Sequence, residues 1–170
     1  MPQVKRPKAR NNGDPPLKHF PMDFFDGAAT DSKGGVGVCI WINEHHYIEM
    51  KLGSGLSTNT RAELLALWAL LSIAKDIGFS YLHIFGDSFV IINWAKEEST
   101  LAIVNLEAWC NNTKKLFSSF TSMDFSHVYR EYNMRVDSLS KDRLLMAPGH
   151  ITFMEFCKGD IYGEVNLQLF

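Results

Sequence analysis

The sequence predicts an α/β domain with a five-stranded mixed sheet, in which three antiparallel strands join parallel strands, and helices cover both faces. Three β-rich segments joined by short polar turns come first, which is typical of an antiparallel meander. Two alternations of strand and helix follow, and a strand–helix–strand unit requires a right-handed crossover between parallel strands. With 170 residues, of which 46% are hydrophobic and 21% charged, the chain is long enough to bury the core of one such domain.

The predicted meander comes from residues 22 to 52. Its first strand, Met22–Phe25, is mostly apolar and ends at Asp26-Gly27. The second, Val36–Ile42, is rich in β-branched and aromatic residues, and the third, Tyr47–Leu52, follows a polar break. Short polar connections of this kind favour antiparallel neighbours.

The second half of the domain alternates helix and strand. Apolar residues recur at helical spacing from Thr60 to Ile77, and Gly78 is expected to end that helix. The short apolar strand Tyr81–Phe85 precedes Asp87, Ser88 and a second helix. The remaining predicted elements are a third helix, a last strand and a last helix, at about residues 104–117, 125–129 and 133–146.

Three segments are expected along the chain. Residues 1–19 hold five basic side chains and four prolines, which predicts a disordered lead-in. Within it, Lys5–Arg10 fits either a nuclear-import signal or a solvated linker, and the linker is the preferred interpretation. Residues 20–146 form the predicted domain, and residues 147–170 form a C-terminal extension without an assigned role. Its alternating Val165, Leu167 and Leu169 suit an edge strand or a docking peptide.

Composition narrows the classes of function. The net charge of −2 gives no sign of a polyelectrolyte-binding surface, so a nucleic-acid partner must be argued from a site. Three widely spaced cysteines argue against a disulfide framework or a zinc site and fit a reducing compartment. No apolar run approaches the roughly 20 residues that span a bilayer. We expect a monomeric intracellular protein, in the nucleus or the cytoplasm, with no membrane partner.

Four acidic residues stand near the ends of predicted elements: Asp26, Glu63, Asp87 and Asp137. Each alone has a structural explanation. Asp26 fits a turn residue, and Glu63 fits a capping box with Thr60. Asp87 fits a helix N-cap, and Asp137 fits a first-turn acid stabilised by the helix macrodipole. Taken singly, these explanations are preferred.

Together the four acids favour a metal site. Asp26 and Asp87 follow the carboxyl ends of predicted strands, where ligands bind in open α/β sheets, and the helices of Glu63 and Asp137 can reach the same end. Two carboxylates about 4 Å apart repel by about 4 kcal/mol at an effective dielectric near 20, whereas a cap returns only about 1 kcal/mol. Oxygen ligands select Mg²⁺ or Mn²⁺, and a two-metal site suits phosphodiester hydrolysis.

The acids also lie in blocks that resemble the type 1 ribonuclease H family. In order between about residues 22 and 145, the blocks are residues 25–28, the glycine-rich turn before Val36, and residues 58–64, 85–88 and 130–137. The closest resemblance is to plant ribonuclease H-like domains related to non-LTR retrotransposon polyproteins. No single block is decisive, but the ordered set is highly specific.

This resemblance implies a ribonuclease H-like fold and cleavage of the RNA strand of RNA–DNA hybrids. It implies that two Mg²⁺ or Mn²⁺ ions are held by the catalytic residues Asp26, Glu63, Asp87 and Asp137. Contacts with nucleic acid, including the 2′-hydroxyls that distinguish RNA from DNA, are expected at Gly27, Ala28, Asn59, Thr60, Ser88 and Asn133.

Two departures from the family pattern keep other hypotheses open. Family members carry a histidine in the loop before the last helix, but Arg130–Tyr132 has none, and His127 is interpreted as a packed strand residue. Many members also carry a basic protrusion, but the comparable stretch here, residues 96–99, is hardly basic, and Trp94 and Trp109 are expected in the core. The second hypothesis is therefore a domesticated module that binds nucleic acid or protein without cutting. A third, an exonuclease or transposase of the same fold, is disfavoured by the block around Glu63.

Overall fold

A computed structural model describes residues 20–31, 33–101, 105–142 and 147–168. Within these residues the strands are β1 Met22–Thr30, β2 Lys33–Asn43, β3 His46–Leu56, β4 Tyr81–Gly86, β5 Ser122–His127, β6 His150–Cys157 and β7 Asp160–Gln168. The helices are α1 Asn59–Ile77, α2 Phe89–Ala95, α3 Glu107–Phe117 and α4 Met134–Asp142, with a 3₁₀ turn at Arg130–Tyr132.

The strands form one mixed sheet in the order β5-β4-β1-β2-β3-β6-β7. Strands β1, β2 and β3 are an antiparallel meander, and β4 and β5 are parallel to β1. The predicted α/β class and mixed sheet are confirmed, but the prediction of five strands is wrong. Strand β6 pairs with the free edge of β3, from His46 opposite Cys157 to Leu52 opposite Ile151, and β7 pairs with β6. The additional pairing satisfies backbone groups that would otherwise be left at the edge of β3.

Several predicted boundaries shift in the structure. Strand β5 covers Ser122–His127 instead of residues 125–129, and α3 begins at Glu107. Helix α4 begins at Met134, while residues 143–146 of the predicted helix lie outside the described residues. The predicted lead-in at residues 1–19, Val104 and Leu169 also lie outside them. Val165 and Leu167 belong to the edge strand β7.

Helices cover both faces of the sheet. Leucines of α1, together with Trp94 of α2, pack on one face against Phe25, Val38 and Ile84. On the other face, Val136 and Leu139 of α4 pack against a second apolar cluster that includes Phe24, Cys39 and Trp41. Trp94 is buried, which confirms its core assignment, whereas Trp109 is partly buried and packs edge-on against Trp68 at the border of the core. None of the described helices combines the length and the apolarity that crossing a membrane requires.

Two glycines allow helices to approach the sheet closely. A Cβ atom at Gly27 of β1 would lie 2.2 Å from the carbonyl carbon of Ala62 in α1. A Cβ atom at Gly37 of β2 would lie 2.4 Å from the carbonyl oxygen of Val136 in α4. Because neither backbone contact can accommodate a side chain, both positions require glycine. The contacts hold the first turns of α1 and α4 against the strands beside Asp26.

Candidate metal centre

Three of the predicted acids meet at the end of β4. Carboxylate oxygens of Asp26, Glu63 and Asp87 all lie within 4.8 Å of one another. Asp87 directly follows β4, as predicted, and Glu63 comes from the first half of α1. The expectation that Asp26 follows its strand is wrong, because β1 continues to Thr30 in its pairing with β2. Its parallel pairing with β4 ends at Phe24, so Asp26 still faces the end of that strand.

Helix capping does not explain Glu63 or Asp87. The N-cap of α1 is Thr58, whose hydroxyl oxygen accepts a hydrogen bond of 3.2 Å from the backbone N–H of Arg61. The N-cap of α2 is Ser88, whose hydroxyl oxygen accepts a hydrogen bond of 3.3 Å from the backbone N–H of Ile91. Each helix start is therefore capped by a neighbouring residue, which leaves both carboxylates available for another role.

Asp137 lies near these three acids without joining their closest group. It belongs to the first turn of α4, and its Oδ2 accepts a hydrogen bond of 2.8 Å from Lys141. A side-chain hydrogen bond and the charge of Asp137 both contribute to the raised pKa of Asp26, so Asp137 lies on the same side of the site. The fold thus brings all four predicted acids to one end of the sheet. Their assignment as metal ligands stays a prediction.

The cluster is electrostatically strained. Burial, followed by the charge of Asp87, raises the pKa of Asp26 to about 9. Burial raises the pKa of Glu63 to about 7, although a hydrogen bond from Ser88 opposes the rise. Burial also raises the pKa of Asp87, while the charge of Arg130 opposes it. Each shift shows that a buried negative charge here lacks sufficient compensation from the protein.

One buried oxygen provides a test of whether a cation fits this site. The Oδ2 atom of Asp87 is buried and has no hydrogen-bond partner among the described residues. The nearest cation, Nε of Arg130, lies 3.7 Å away on a side chain that is 80% exposed, so solvent weakens this ion pair. An orphaned carboxylate oxygen beside two further carboxylates fits a hard divalent cation such as Mg²⁺ or Mn²⁺.

His127 and Arg130 also border the acids, although neither is among the site residues predicted from the sequence. His127 is the last residue of β5 and pairs with Gly86, directly before Asp87. Its Nε2 lies 3.1 Å from the carbonyl oxygen of Asp87, and its ring stacks on Phe89 at 3.5 Å. The predicted strand ended two residues later, at Tyr129, which hid the position of His127 at the end of the sheet. A prediction that ended this strand at His127 would have placed the histidine beside Asp87.

The residues predicted to contact nucleic acid differ in their accessibility. Gly27 is buried against α1, and Ser88 caps α2. The side-chain oxygen of Asn59 accepts a hydrogen bond of 2.8 Å from the backbone N–H of Ala29, which ties the start of α1 to β1. The side chain of Asn133 is buried and donates to the carbonyl oxygen of Phe25 at 3.0 Å. Their contacts with nucleic acid, like those of Ala28 and Thr60, stay predictions.

The metal-free protein is expected to lose stability as the pH rises. The pKa of Asp26 is raised from 3.8 to about 9. The contribution of this group to the free energy of unfolding is therefore fully present below about pH 4 and is lost as the pH rises through about 9. Replacing Asp26 with Asn should remove this part of the pH dependence. Thermal melts in EDTA at about pH 5 and about pH 8 measure the difference for both proteins. An equal pH dependence in wild type and Asp26→Asn would contradict the raised pKa.

Asp87→Asn is expected to stabilise the metal-free protein, because it removes a buried carboxylate whose charge the protein does not compensate and which raises the pKa of Asp26. The gain should reach about 1–3 kcal/mol above about pH 9, where both carboxylates are charged and repel each other at short range. Mg²⁺ should stabilise the wild type by mass action and stabilise the variant much less. Thermal melts with EDTA and with Mg²⁺ measure both effects. Asp76→Asn, an exposed position on α1, is the matched control and should behave as wild type. A lower melting temperature for Asp87→Asn in EDTA, with no response of either protein to Mg²⁺, would exclude the metal site.

The sequence pattern of the family described as "Reverse transcriptase-like" matches residues 24–143. A Ribonuclease HI of Halobacterium salinarum is 29% identical over 129 residues, which cover 71% of this chain. The chain matches only 62% of the length of that relative.

Solved structures are also similar. The crystal structure of ribonuclease H1 from Halobacterium salinarum has a TM-score of 0.69 at 27% identity, covering 75% of this chain and 98% of that one. The N-terminal ribonuclease H domain of a Mycobacterium tuberculosis protein has a TM-score of 0.67 at 23% identity, covering 73% and 94%. A ribonuclease H1 isolated from compost, in complex with an RNA/DNA hybrid, has a TM-score of 0.65 at 22% identity, covering 72% and 95%.

Because the family match extends over most of the chain, and the solved ribonuclease H structures cover 72–75% of it with TM-scores of 0.65–0.69, the chain belongs to the Reverse transcriptase-like family and has the ribonuclease H fold.

Proposed function

We propose that this domain is a ribonuclease H, a metal-dependent endonuclease that hydrolyses the RNA strand of RNA–DNA hybrids. The observation that carries the proposal is the cluster of Asp26, Glu63 and Asp87, whose carboxylate oxygens lie within 4.8 Å of one another. The ribonuclease H fold supports it, as does the likeness to a Ribonuclease HI. One structural neighbour with the same fold was solved with an RNA/DNA hybrid.

The chain itself provides the ligands and their placement. Asp26, Glu63 and Asp87 would hold the cation, and Asp137 would complete the shell of a second one. When bound, divalent cations activate the attacking water and stabilise the leaving oxygen of the phosphodiester. The rigid strands β1 and β4 hold Asp26 and Asp87 in place, so little reorganisation is needed at the moment of reaction. The N-terminal half of α1, tied to β1 by Asn59, holds Glu63 beside them.

A cleavage assay with the purified chain tests this function. A labelled RNA–DNA hybrid should be cut in the presence of Mg²⁺ or Mn²⁺, whereas double-stranded RNA and double-stranded DNA of the same sequence should remain intact. The 2′-hydroxyl and the hybrid geometry provide this discrimination. Absence of hybrid cleavage with either metal, over a range of protein concentrations, would overturn the enzymatic proposal.

The second candidate is a module that binds nucleic acid without cutting it. A net charge of −2 and the absence of a histidine from residues 130–132 favour it. The position of His127 argues against this candidate. Although His127 belongs to β5 and not to the loop, it places a histidine beside Asp87. The cleavage assay, combined with a gel shift on the same hybrid, separates the two functions. A binding module shifts the hybrid but leaves it uncut.

Three finer features belong to the same proposal. Two Mg²⁺ or Mn²⁺ ions are expected, and titration calorimetry with the metal alone would count them. Descent from a plant retrotransposon polyprotein rests on the motif resemblance, and a phylogenetic comparison of the motif blocks would test it.

We also propose an intracellular location, in the nucleus or the cytoplasm. A fluorescent fusion with Lys5 and Arg6 replaced by alanine would reveal any contribution of the N-terminal basic run.

A further inference from the structure

The outer edge of the sheet carries exposed apolar side chains. Ile161, Tyr162, Val165 and Leu167 of β7 expose between 48% and 78% of their surface. Among the described residues no strand pairs with this edge of β7. The strand contains no lysine, arginine or proline, which are the residues that commonly protect an edge from pairing. Apart from Asp160, Glu164 and the bulge near Glu155, this edge has none of the features that block pairing, so it is a template for another strand.

We propose that β7 pairs with β7 of a second copy of this chain, antiparallel and about a two-fold axis through Val165. The backbone permits this arrangement. Hydrogen-bonded and non-hydrogen-bonded pairs alternate along an antiparallel ladder. When the pairs of β6 and β7 are followed from the turn at Lys158 and Gly159, past the bulge at Glu155, Glu164 and Asn166 fall in non-hydrogen-bonded pairs, so their N–H groups point away from β6. The two-fold axis places Glu164 of one copy opposite Asn166 of the other, so the outward backbone groups of both strands meet.

Charge and length select this register over its neighbours. An axis through Glu164 would put two carboxylates directly opposite each other, which is destabilising. An axis through Asn166 avoids that repulsion but pairs only residues 164–168 of the described strand. The axis through Val165 pairs residues 162–168 in both copies. It places Val165 opposite Val165 and leaves no like charges facing each other.

A groove beside β7 would receive a side chain from the second copy. It has a volume of about 360 Å³ and is lined by Ile73 and Ile77 of α1, Phe153 of β6, and Gly163 and Val165 of β7, among others. Gly163 leaves this space open, since a Cβ atom there would meet nothing within 4 Å.

Leu167 is the side chain that would enter this groove. Gly163, Val165 and Leu167 lie on the same face of the strand, because side chains alternate. In the proposed register Leu167 of the second copy lies opposite Gly163 and reaches the groove. The two-fold axis repeats this contact, as an isologous interface requires.

The interface is small, so its affinity is expected to be modest. A pair of strands and two leucines should bury less than the roughly 1,200–2,000 Å² that is typical of stable complexes. We therefore expect weak association, with a dissociation constant in the micromolar range or above. The proposal thus differs from the monomer expected from the sequence: it predicts a monomer–dimer equilibrium in which each copy retains its own set of four acids.

Sedimentation velocity of the purified full chain, from about 1 to about 200 μM, should show a shift from the mass of one chain to that of two. Val165→Lys places two ammonium groups opposite each other and should raise the dissociation constant at least tenfold. Val165→Thr is the matched control, since it has a similar size and no charge, and it should still dimerise. Glu164→Gln should dimerise at least as tightly as the wild type.

Cross-linking tests the register itself. In the proposed register, the cysteine of Val165→Cys in one copy lies opposite the same cysteine in the other copy. Their Cβ atoms are expected to lie about 4.5–5.5 Å apart, so mild oxidation should yield a disulfide-linked dimer. Ile161→Cys, on the same strand and similarly exposed, has no copy of itself opposite and should remain unlinked. The wild type, with its free Cys39, Cys110 and Cys157, sets the background. A chain that stays monomeric at every concentration, a Val165→Lys variant that associates as wild type, or equal cross-linking at both positions would overturn the proposal.

Discussion

Asp26→Asn, Glu63→Gln and Asp87→Asn are each expected to lower hybrid cleavage by at least about a hundredfold, since even residues that only orient metal ligands contribute about 10–100-fold. The three carboxylates form one cluster, so the amide variants remove a ligand without changing the side-chain volume appreciably. Asp137→Asn should lose less activity, because Asp137 lies outside the closest group. Single-turnover cleavage with saturating Mg²⁺ measures the chemical step, and circular dichroism verifies the fold.

Asp76→Asn is the matched control for this series, because it changes an exposed aspartate on α1 and should cleave as wild type. Higher Mg²⁺ concentrations should rescue the Asp137 variant more than the Asp87 variant, since weakened binding can be offset by mass action. Retention of near wild-type cleavage by Asp87→Asn would remove the cluster from the mechanism. Loss of folding in all three variants would instead show that the acids are structural.

Gly27→Ala is expected to destabilise the fold by about 3 kcal/mol, a large share of the stability of a typical domain. A Cβ atom at this position would lie 2.2 Å from the backbone of Ala62, so α1 has to move away from β1. Because Glu63 is the next residue along α1, the movement also displaces it from Asp26. Urea unfolding measures the stability, and hybrid cleavage by the folded fraction measures the displacement.

Gly163→Ala is the matched control for Gly27→Ala, because a Cβ atom there has nothing within 4 Å and the substitution should leave stability nearly unchanged. The comparison separates the general effect of replacing glycine in a strand from the specific contact between β1 and α1. Equal stability of both variants would show that α1 does not approach β1 as closely as the structure indicates.

Local patterns were sufficient to predict most elements. The helical spacing of apolar residues and Gly78 predicted α1, which ends at Ile77 with Gly78 in the left-handed conformation at φ 97°. The alternation of strands and helices predicted the meander and the parallel strands. The positions of Glu63 and Asp87 near the starts of α1 and α2 also follow from chain order. Capping was predicted less well, since the N-cap of α1 is Thr58 and not Thr60, and the N-cap of α2 is Ser88 and not Asp87.

The sequence by itself thus determined the α/β class and brought Asp26, Glu63 and Asp87 to one end of the sheet, because periodicity and chain order act locally. Only the tertiary structure decided that their oxygens lie within 4.8 Å of one another, since that distance depends on the contact of Gly27 with Ala62. The same holds for the pairing of β6 with β3 and for His127 beside Asp87. These contacts join residues far apart in the chain, and a local pattern of apolar residues does not specify which distant strand edge or side chain a segment will meet.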